Sequence, residues 1–378
     1  MTSSDDNRTN RARHACFVGG PAVKLWHVAP ADRIRRQLSR LRIGVTDHPP
    51  ADAGPVLLIR TDAVIDDRAI SALSENPGTA LVLADGRLVA LCAGANRALT
   101  LIETFAGGNF AVPEGFIART PLELAGSHNQ QLRKREEAYA ALVTSADAPR
   151  IERQLFDASY KGVTDVVTKY LWPEPAFRCV RICARYGISP NQVTMLSLVA
   201  SIGAAWAFAS SWFWTGLLCA WVMALLDTID GKLARVTATS SKWGNVFDHG
   251  IDLIAPPVWW VAWWIGLEAG MPGSSTTMLA LVVGGHIAGK LVEQAFISTF
   301  GLKIHVWEKF DSTFRLYTAR RNPNVVILTI GLLLAGPGIA YVAMMIWLWL
   351  SLAIHVGRYF QALAQRRDGT VIRSWLED

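Results

Sequence analysis

Three stretches of this chain, residues 192–231, 243–289 and 322–357, contain neither lysine nor arginine, and each is apolar over roughly two membrane-crossing lengths of about 20 residues. Hydrocarbon tolerates backbone only where its own hydrogen bonds are satisfied, so such stretches fold as helices. The pattern predicts three helical hairpins, and hence an all-α bundle of six transmembrane helices over residues 191–365, with a tail over 366–378. Basic residues fall in the gaps: Lys232, Arg235 and Lys242 in one, Lys290 through Arg321 in the next, and Arg358, Arg366, Arg367 and Arg373 after the last. By the positive-inside rule these loops and both termini face the cytoplasm, which for a bacterial-type cell means a multi-pass protein of the inner membrane. The opposite loops, near Ser210, Gly270 and Gly336, carry no such charge. Tryptophans 212, 214, 259, 260, 263 and 264 fit interfacial belts or helix packing.

The first part of the chain reads differently. Residues 1–145 are expected to form a soluble α/β domain: Pro55–Arg60, Thr79–Ala84 and Leu88–Cys92 have the composition and length of strands, and Ala31–Leu41 places Ile34, Leu38 and Leu41 at helical spacing. Residues 146–190 then read as a juxtamembrane linker. Ile151–Lys161 is helical in pattern, and Val163 to Trp172 predicts an amphipathic helix lying on the membrane surface. This soluble part dilutes the mean hydropathy of the whole chain to +0.24 although 51% of residues are apolar. The net charge of +6 suits anionic lipid or phosphate substrates; no nucleic-acid module is present in the sequence, so nucleic acid is not an expected partner. Cysteines 16, 92, 179, 183 and 219 have no CxxC or metal-ligand spacing, which argues against a zinc site or a disulfide framework.

Within the membrane part, one short segment concentrates charge: Asp227-Thr-Ile-Asp230-Gly231-Lys-Leu-Ala234-Arg235, then eight residues, then Gly244-Asn-Val-Phe-Asp248-His-Gly-Ile-Asp252. On helices, Asp227 with Asp230 and Asp248 with Asp252 each share a face. Gly231 and Gly244 bracket the intervening turn and let backbone approach backbone or ligand closely. Carboxylates at the edge of hydrocarbon are costly unless compensated, and four of them converging would repel strongly without cations. Hard oxygen ligands suit Mg2+ or Mn2+, and two such ions on shared carboxylates form the arrangement that handles phosphoryl and pyrophosphate chemistry. His249, about 100° around a helix from Asp248, is left out of that chemistry. His286 and Lys290 share a face of a predicted span; a helix end explains the lysine and packing the histidine.

The string D-x-x-D-G-x-x-A-R, eight residues, G-x-x-x-D-x-x-x-D resembles the signature of the CDP-alcohol phosphotransferases (CDP-alcohol phosphatidyltransferases) at every fixed position. The resemblance implies an integral membrane transferase of phospholipid or inositol-phosphodiester synthesis. Such an enzyme moves a phospho-alcohol group from a CDP-linked alcohol to an acceptor hydroxyl and releases CMP. Carried over by position, Asp227, Asp230, Asp248 and Asp252 would surround two divalent ions, and Asp252 would also take the acceptor's proton. Gly231, Ala234 and Gly244 would line the nucleotide pocket, with Arg235 at its polar edge. A homodimer is implied in the same way. Tyr160–Asp165 is similar to the juxtamembrane segment of the inositol-phosphodiester branch, and Ile188–Thr194 to the family's approach to its first span.

Residues 1–145 also resemble a shortened nucleotidyltransferase, as found fused ahead of such membrane domains. Phe17-Val-Gly-Gly20 stands where a nucleotide loop would, without the arginine and Pro-Lys that would hold a triphosphate, and Asp62 follows a strand where a metal-binding Asp would sit. A bifunctional enzyme that makes its own CDP-alcohol from CTP, and a non-catalytic membrane scaffold with a relict site, therefore stay open. So does the acceptor, for which Lys161, Lys169, Arg315, Arg320 and Arg321 are the available basic side chains.

Overall fold

The computed structural model describes residues 11–50, 54–270 and 276–377. They form two compact units. The first comprises residues up to 129 with 135–160 and the short segment 235–239; the second comprises 130–134, 161–234 and 240–378. The division thus falls at Tyr160/Lys161, inside the stretch that the sequence reading takes as linker.

The first unit is built on β1 (His14–Val18), β2 (Gly44–Val45), β3 (Pro55–Arg60), β5 (Thr79–Val82), β6 (Leu88–Gly94) and β7 (Ile117–Arg119), in the order β2-β1-β3-β6-β5-β7. β1 runs parallel to β2 and β3, β6 antiparallel to β3 and β5, and β7 parallel to β5. The short β4 (Ala63–Ile65) pairs instead with Ala140–Leu142. Helices α1 (Pro30–Arg40), α2 (Asp67–Ser74), α3 (Ala95–Ala106), α4 (Pro121–Ala125) and α5 (Ala148–Ala158) surround the sheet. Both sheet faces are covered, so β3 and β6 read as continuous apolar runs: Leu57, Ile59 and Cys92 pack with Ile34 and Leu38 on one side, Val56, Leu58 and Leu91 with Ala98 and Phe105 on the other.

The second unit is helical: α6 (Pro173–Arg185), α7 (Pro190–Ala209), α8 (Phe213–Val236), α9 (Lys242–Gly270), α10 (Thr276–Phe300), the short α11 (Lys309–Phe314), α12 (Arg321–Ala335) and α13 (Pro337–Arg367). Among the described residues, four helical segments are long and apolar enough to cross a membrane, namely Pro190–Ala209, Val246–Ala269, Thr276–Phe300 and Pro337–Arg367. Arg321–Ala335 is shorter. The expected amphipathic helix over 163–172 is instead a single wide turn, Val167–Leu171, and the regular surface helix begins at Pro173. Proline is well placed at a helix start, where its missing N–H has no partner to lose.

Local chemistry sets the helix ends that matter for the site. Ser189 caps α7 in a reciprocal box with Gln192: the Gln192 amide donates to Ser189 Oγ at 3.3 Å and the Ser189 amide to Gln192 Oε1 at 2.8 Å. Gly336, at φ +86°, supplies the left-handed residue between α12 and α13. The core where α7, α8, α9, α12 and α13 meet is aromatic at its centre: Trp259, Trp260, Trp263, Tyr341 and Phe208 are fully buried. Three of their polar edges are satisfied, with Trp259 Nε1 donating to the Ser201 carbonyl at 3.0 Å, Trp263 Nε1 to the Pro337 carbonyl at 3.2 Å and the Tyr341 hydroxyl to the Trp260 carbonyl at 3.2 Å, whereas Trp260 Nε1 is buried without a partner. Gly266 lies so close to α7 that a Cβ there would sit 2.0 Å from the Phe208 carbonyl oxygen. Of the tryptophans singled out in sequence, 259, 260 and 263 are packing residues, while Trp212 and Trp214 lie at the exposed end of a hairpin.

Candidate active site

The four aspartates lie at the adjoining ends of α8 and α9. One carboxylate oxygen from each of Asp227, Asp248 and Asp252 falls within 4.8 Å of the others. Like charges at that distance repel by roughly 3 to 4 kcal/mol per pair at an effective dielectric of about 20, so the trio needs a compensating cation. One is in place: Arg321, the first residue of α12, donates Nη2 to Asp227 Oδ2 at 2.6 Å and Nη1 to Asp252 Oδ1.

Asp230 is held apart from the trio. It is 3% exposed, and its Oδ2 accepts from the Thr194 hydroxyl at 2.6 Å. Thr194 sits just beyond the cap of α7, so the Ser189–Gln192 box fixes the residue that fixes Asp230. The other oxygen, Oδ1, is buried without a hydrogen-bond partner. A buried carboxylate oxygen with nothing to accept is costly, and a hard cation is the chemistry that satisfies it. That orphan oxygen and the all-carboxylate donor set both fit a divalent ion.

Two prolines follow the acids. Pro256 and Pro257 lie inside α9 and lack the N–H that would bond four residues back, which releases the carbonyls of Asp252 and Leu253 from the helical ladder. Gly244 donates its amide to Ser241 Oγ at 3.0 Å, and a Cβ there would come within 2.9 Å of Asn191 Oδ1, so a larger residue would have to displace the Asn191 side chain. Gly231 and Ala234 lie on the same helix as Asp227, half-buried, whereas Arg235 groups with the first unit. His249 Nδ1 is 3.7 Å from Asp248 Oδ2, beyond hydrogen-bond range, on an exposed side chain.

A basic cluster occupies the neighbouring part of the second unit, and sequence reasoning found only part of it. Glu293 on α10 is its centre: Arg320 lies at 3.4 Å, Lys290 at 3.6 Å and His305 Nε2 at 3.2 Å. Arg315 adds a guanidinium whose Nε and Nη1 are buried with no hydrogen-bond partner. Burial pushes Arg315 down to about 9, with Arg320 acting in the same direction; burial, then Arg133 and then Arg320 lower Lys303, and burial and then Arg320 lower Arg133. Such crowding of positive charge is relieved by an anion. Lys169 instead lies over the Tyr170 ring at 5.2 Å. Arg133, Lys303, Glu293 and His305 were missed; for Glu293 the available signal was its place three residues after Lys290, on the same helical face.

The second element that sequence reasoning missed is a brace behind Arg321. Asn322 donates Nδ2 to Asp165 Oδ1 at 3.1 Å, and Asp165 also accepts from the Thr168 amide and hydroxyl at 2.9 Å each. The juxtamembrane segment is itself anchored to α8 by an edge-on contact of Trp172 with Trp221, ring centres 5.7 Å apart.

In the first unit, the two features that resemble nucleotide chemistry have local partners. Both Asp62 oxygens accept from Arg60, at 2.9 and 2.7 Å. Gly19 takes φ +109° beside Thr61, whose hydroxyl donates to the Gly20 carbonyl at 2.6 Å, so the glycine pair serves a turn.

A bundle of apolar helices with carboxylates converging where two of them adjoin is the setting of membrane-embedded, cation-assisted chemistry. Residues 187–357 match the family model described as CDP-alcohol phosphatidyltransferase, and this chain carries a domain of that family. Human cholinephosphotransferase 1 is 31% identical over 139 residues, 35% of this chain and 33% of that one. The archaetidylinositol phosphate synthase of Pyrococcus horikoshii is 35% identical over 83 residues, 22% of this chain and 44% of that one. The chain thus spans less than half the length of either relative. The crystal structure of Mycobacterium tuberculosis phosphatidylinositol phosphate synthase in complex with manganese and citrate aligns with a TM-score of 0.37 at 19% identity, over 50% of this chain and 86% of that one.

Proposed function

We propose that the chain is a divalent-metal-dependent membrane transferase that moves a phospho-alcohol group from a CDP-linked alcohol to an acceptor hydroxyl, releasing CMP. The observation that carries this reading is the convergence of Asp227, Asp248 and Asp252 beside the orphan oxygen of Asp230, within the matched family domain. In this reading those four residues would hold two ions, Mg2+ or Mn2+, and α7, α8, α9, α10, α12 and α13 cross the inner membrane with the site toward the cytoplasm. Ions bound there would neutralise the donor's pyrophosphate and the charge on the departing CMP.

This chain's own residues supply the rest. Asp252 accepts the proton of the acceptor hydroxyl as it attacks phosphorus in line. Gly231, Ala234 and Gly244 keep the helix surface low enough for the nucleotide to lie against it, with Arg235 at its polar edge. Arg315, with its unpartnered buried nitrogens, favours an acceptor that itself carries phosphate. Lys161, Arg320 and Lys303 contribute charge around it. A homodimer belongs to the same reading by family resemblance. The first unit, whose Asp62 and glycine pair are locally engaged, serves assembly or regulation; release of pyrophosphate from CTP by the full-length chain would instead favour the bifunctional reading.

The test is CMP release by the purified protein in mild detergent with Mg2+ or Mn2+, from CDP-diacylglycerol and from CDP-inositol, each against inositol phosphate, glycerol phosphate and their unphosphorylated alcohols. Release with one pair, lost in Asp252→Asn, is expected. No release from any pair would overturn the reading.

A further inference from the structure

Arg321 and the cations proposed above compete for the same oxygens. Its guanidinium bonds Asp227 through Oδ2 and Asp252 through Oδ1, two of the three residues that converge. An oxygen that accepts from arginine has less electron density and fewer directions to offer a metal. Arg321 is also not a loose side chain: it is 11% exposed, and its neighbour Asn322 is tied to Asp165. A hydrogen-bonded, braced guanidinium loses little further freedom by staying where it is.

The charge balance follows. Four carboxylates less one fixed guanidinium leave three negative charges, and a single divalent ion cancels most of them. A second divalent ion then meets a net charge of about −1 instead of −3, and is held only weakly unless it brings anionic ligands. The donor's pyrophosphate is such a ligand. We propose that Arg321 is a built-in cation that limits the site to a single tightly held divalent ion, and that the second ion binds only together with the pyrophosphate of the donor. The inference rests on the metal reading of the acid cluster. It makes Arg321 a positioning residue, acting through Asp227 and Asp252.

The experiment counts ions and does not depend on turnover. The full-length protein in detergent is titrated with MnCl2, and free Mn2+ is followed by its electron paramagnetic resonance signal, with and without CDP. The wild type is expected to take up a single tight ion alone and a second with CDP. Arg321→Gln is expected to take up both without CDP, the second at least about tenfold more tightly than in the wild type. Arg321→Lys, which keeps the charge, is expected to behave as wild type. Two tight ions in the wild type without CDP overturn the proposal, and this arm decides the matter even if Arg321→Gln does not fold. An unchanged count in a folded Arg321→Gln also overturns it. Uptake of no Mn2+ by any form, with or without CDP, would overturn the metal reading itself, an outcome distinct from the other two.

Discussion

Thr194 donates its hydroxyl to Asp230 at 2.6 Å and is itself 3% exposed, so the one aspartate held apart from the other three is fixed by a side chain 36 residues away on a different helix. The Pro190 carbonyl lies 3.0 Å from the same hydroxyl and shares its one proton with Asp230. Asp230 therefore presents its second oxygen in a set direction.

Replacing Thr194 by valine keeps the shape and removes the donor. Both Asp230 oxygens are then buried without a partner, which costs on the order of 1 to 3 kcal/mol. We expect a lower melting temperature in chelator and a larger stabilisation by saturating Mg2+ than the wild type shows. Scanning fluorimetry of the detergent-solubilised protein reads both; equal metal-induced shifts in the two proteins would refute the link.

In the proposed reading Arg315 meets the acceptor and not the donor. Arg315→Met should raise the KM for a phosphorylated acceptor by about tenfold or more while leaving the KM for the CDP-alcohol within about twofold, because only the acceptor would lose a charge-assisted contact. Steady-state CMP release with each substrate varied in turn measures this. A parallel rise in both constants would show that the residue acts through the fold.

Gly266→Val places a side chain where even a Cβ would lie 2.0 Å from the Phe208 carbonyl oxygen. Backbone cannot yield as a flexible side chain can, and overpacking of this kind costs about 1 to 3 kcal/mol or more. The expected result is a sharp fall in the yield of monodisperse protein on size exclusion, whereas Gly338→Ala, where no atom lies within 4 Å, should leave it unchanged.

Acid should loosen the second unit through His305. Burial pushes this histidine down to about 3, against the opposing pull of Glu293, so it stays neutral in the folded protein while an unfolded chain takes up its proton near pH 6.5. A depressed folded value means that the stabilisation is complete above pH 6.5 and declines as pH falls toward 3, by up to about 1.4 kcal/mol per pH unit. His305→Gln keeps a donor toward Glu293 and cannot titrate. Its melting temperature should fall less steeply between pH 6.5 and 4.5 than that of the wild type, and identical slopes would assign the acid sensitivity elsewhere.

What could be read in advance follows from how locally each feature is encoded. The strands β3 and β6 and the helices α8 and α9 announce themselves by composition and period, and the acids by spacing along single helices. Arg321 gave no such sign: it lies 94 and 69 residues from the aspartates it bonds, and in sequence it is one of many arginines flanking a span. Thr194 stood in a stretch already noted for its resemblance, yet a hydroxyl near a helix start reads as a capping residue until its partner is known. The segment 163–172 misled because its valines alternate between a helical pattern and burial against α8, and Val167, Trp172 and Ala224 pack together where a free surface helix was expected. The gap between sequence and fold is widest where a contact joins distant helices.

The tandem prolines of α9 have a consequence for how such a domain can change over generations. The tryptophan-packed half of the helix, from Trp259 onward, is a jigsaw that tolerates few substitutions, and the acid-bearing half is joined to it through Pro256 and Pro257, where the hydrogen-bond ladder is interrupted. Mutations around the acids can re-aim Asp248 and Asp252 without disturbing the packed half. One scaffold can thereby carry differently shaped sites while its body inherits the same interior.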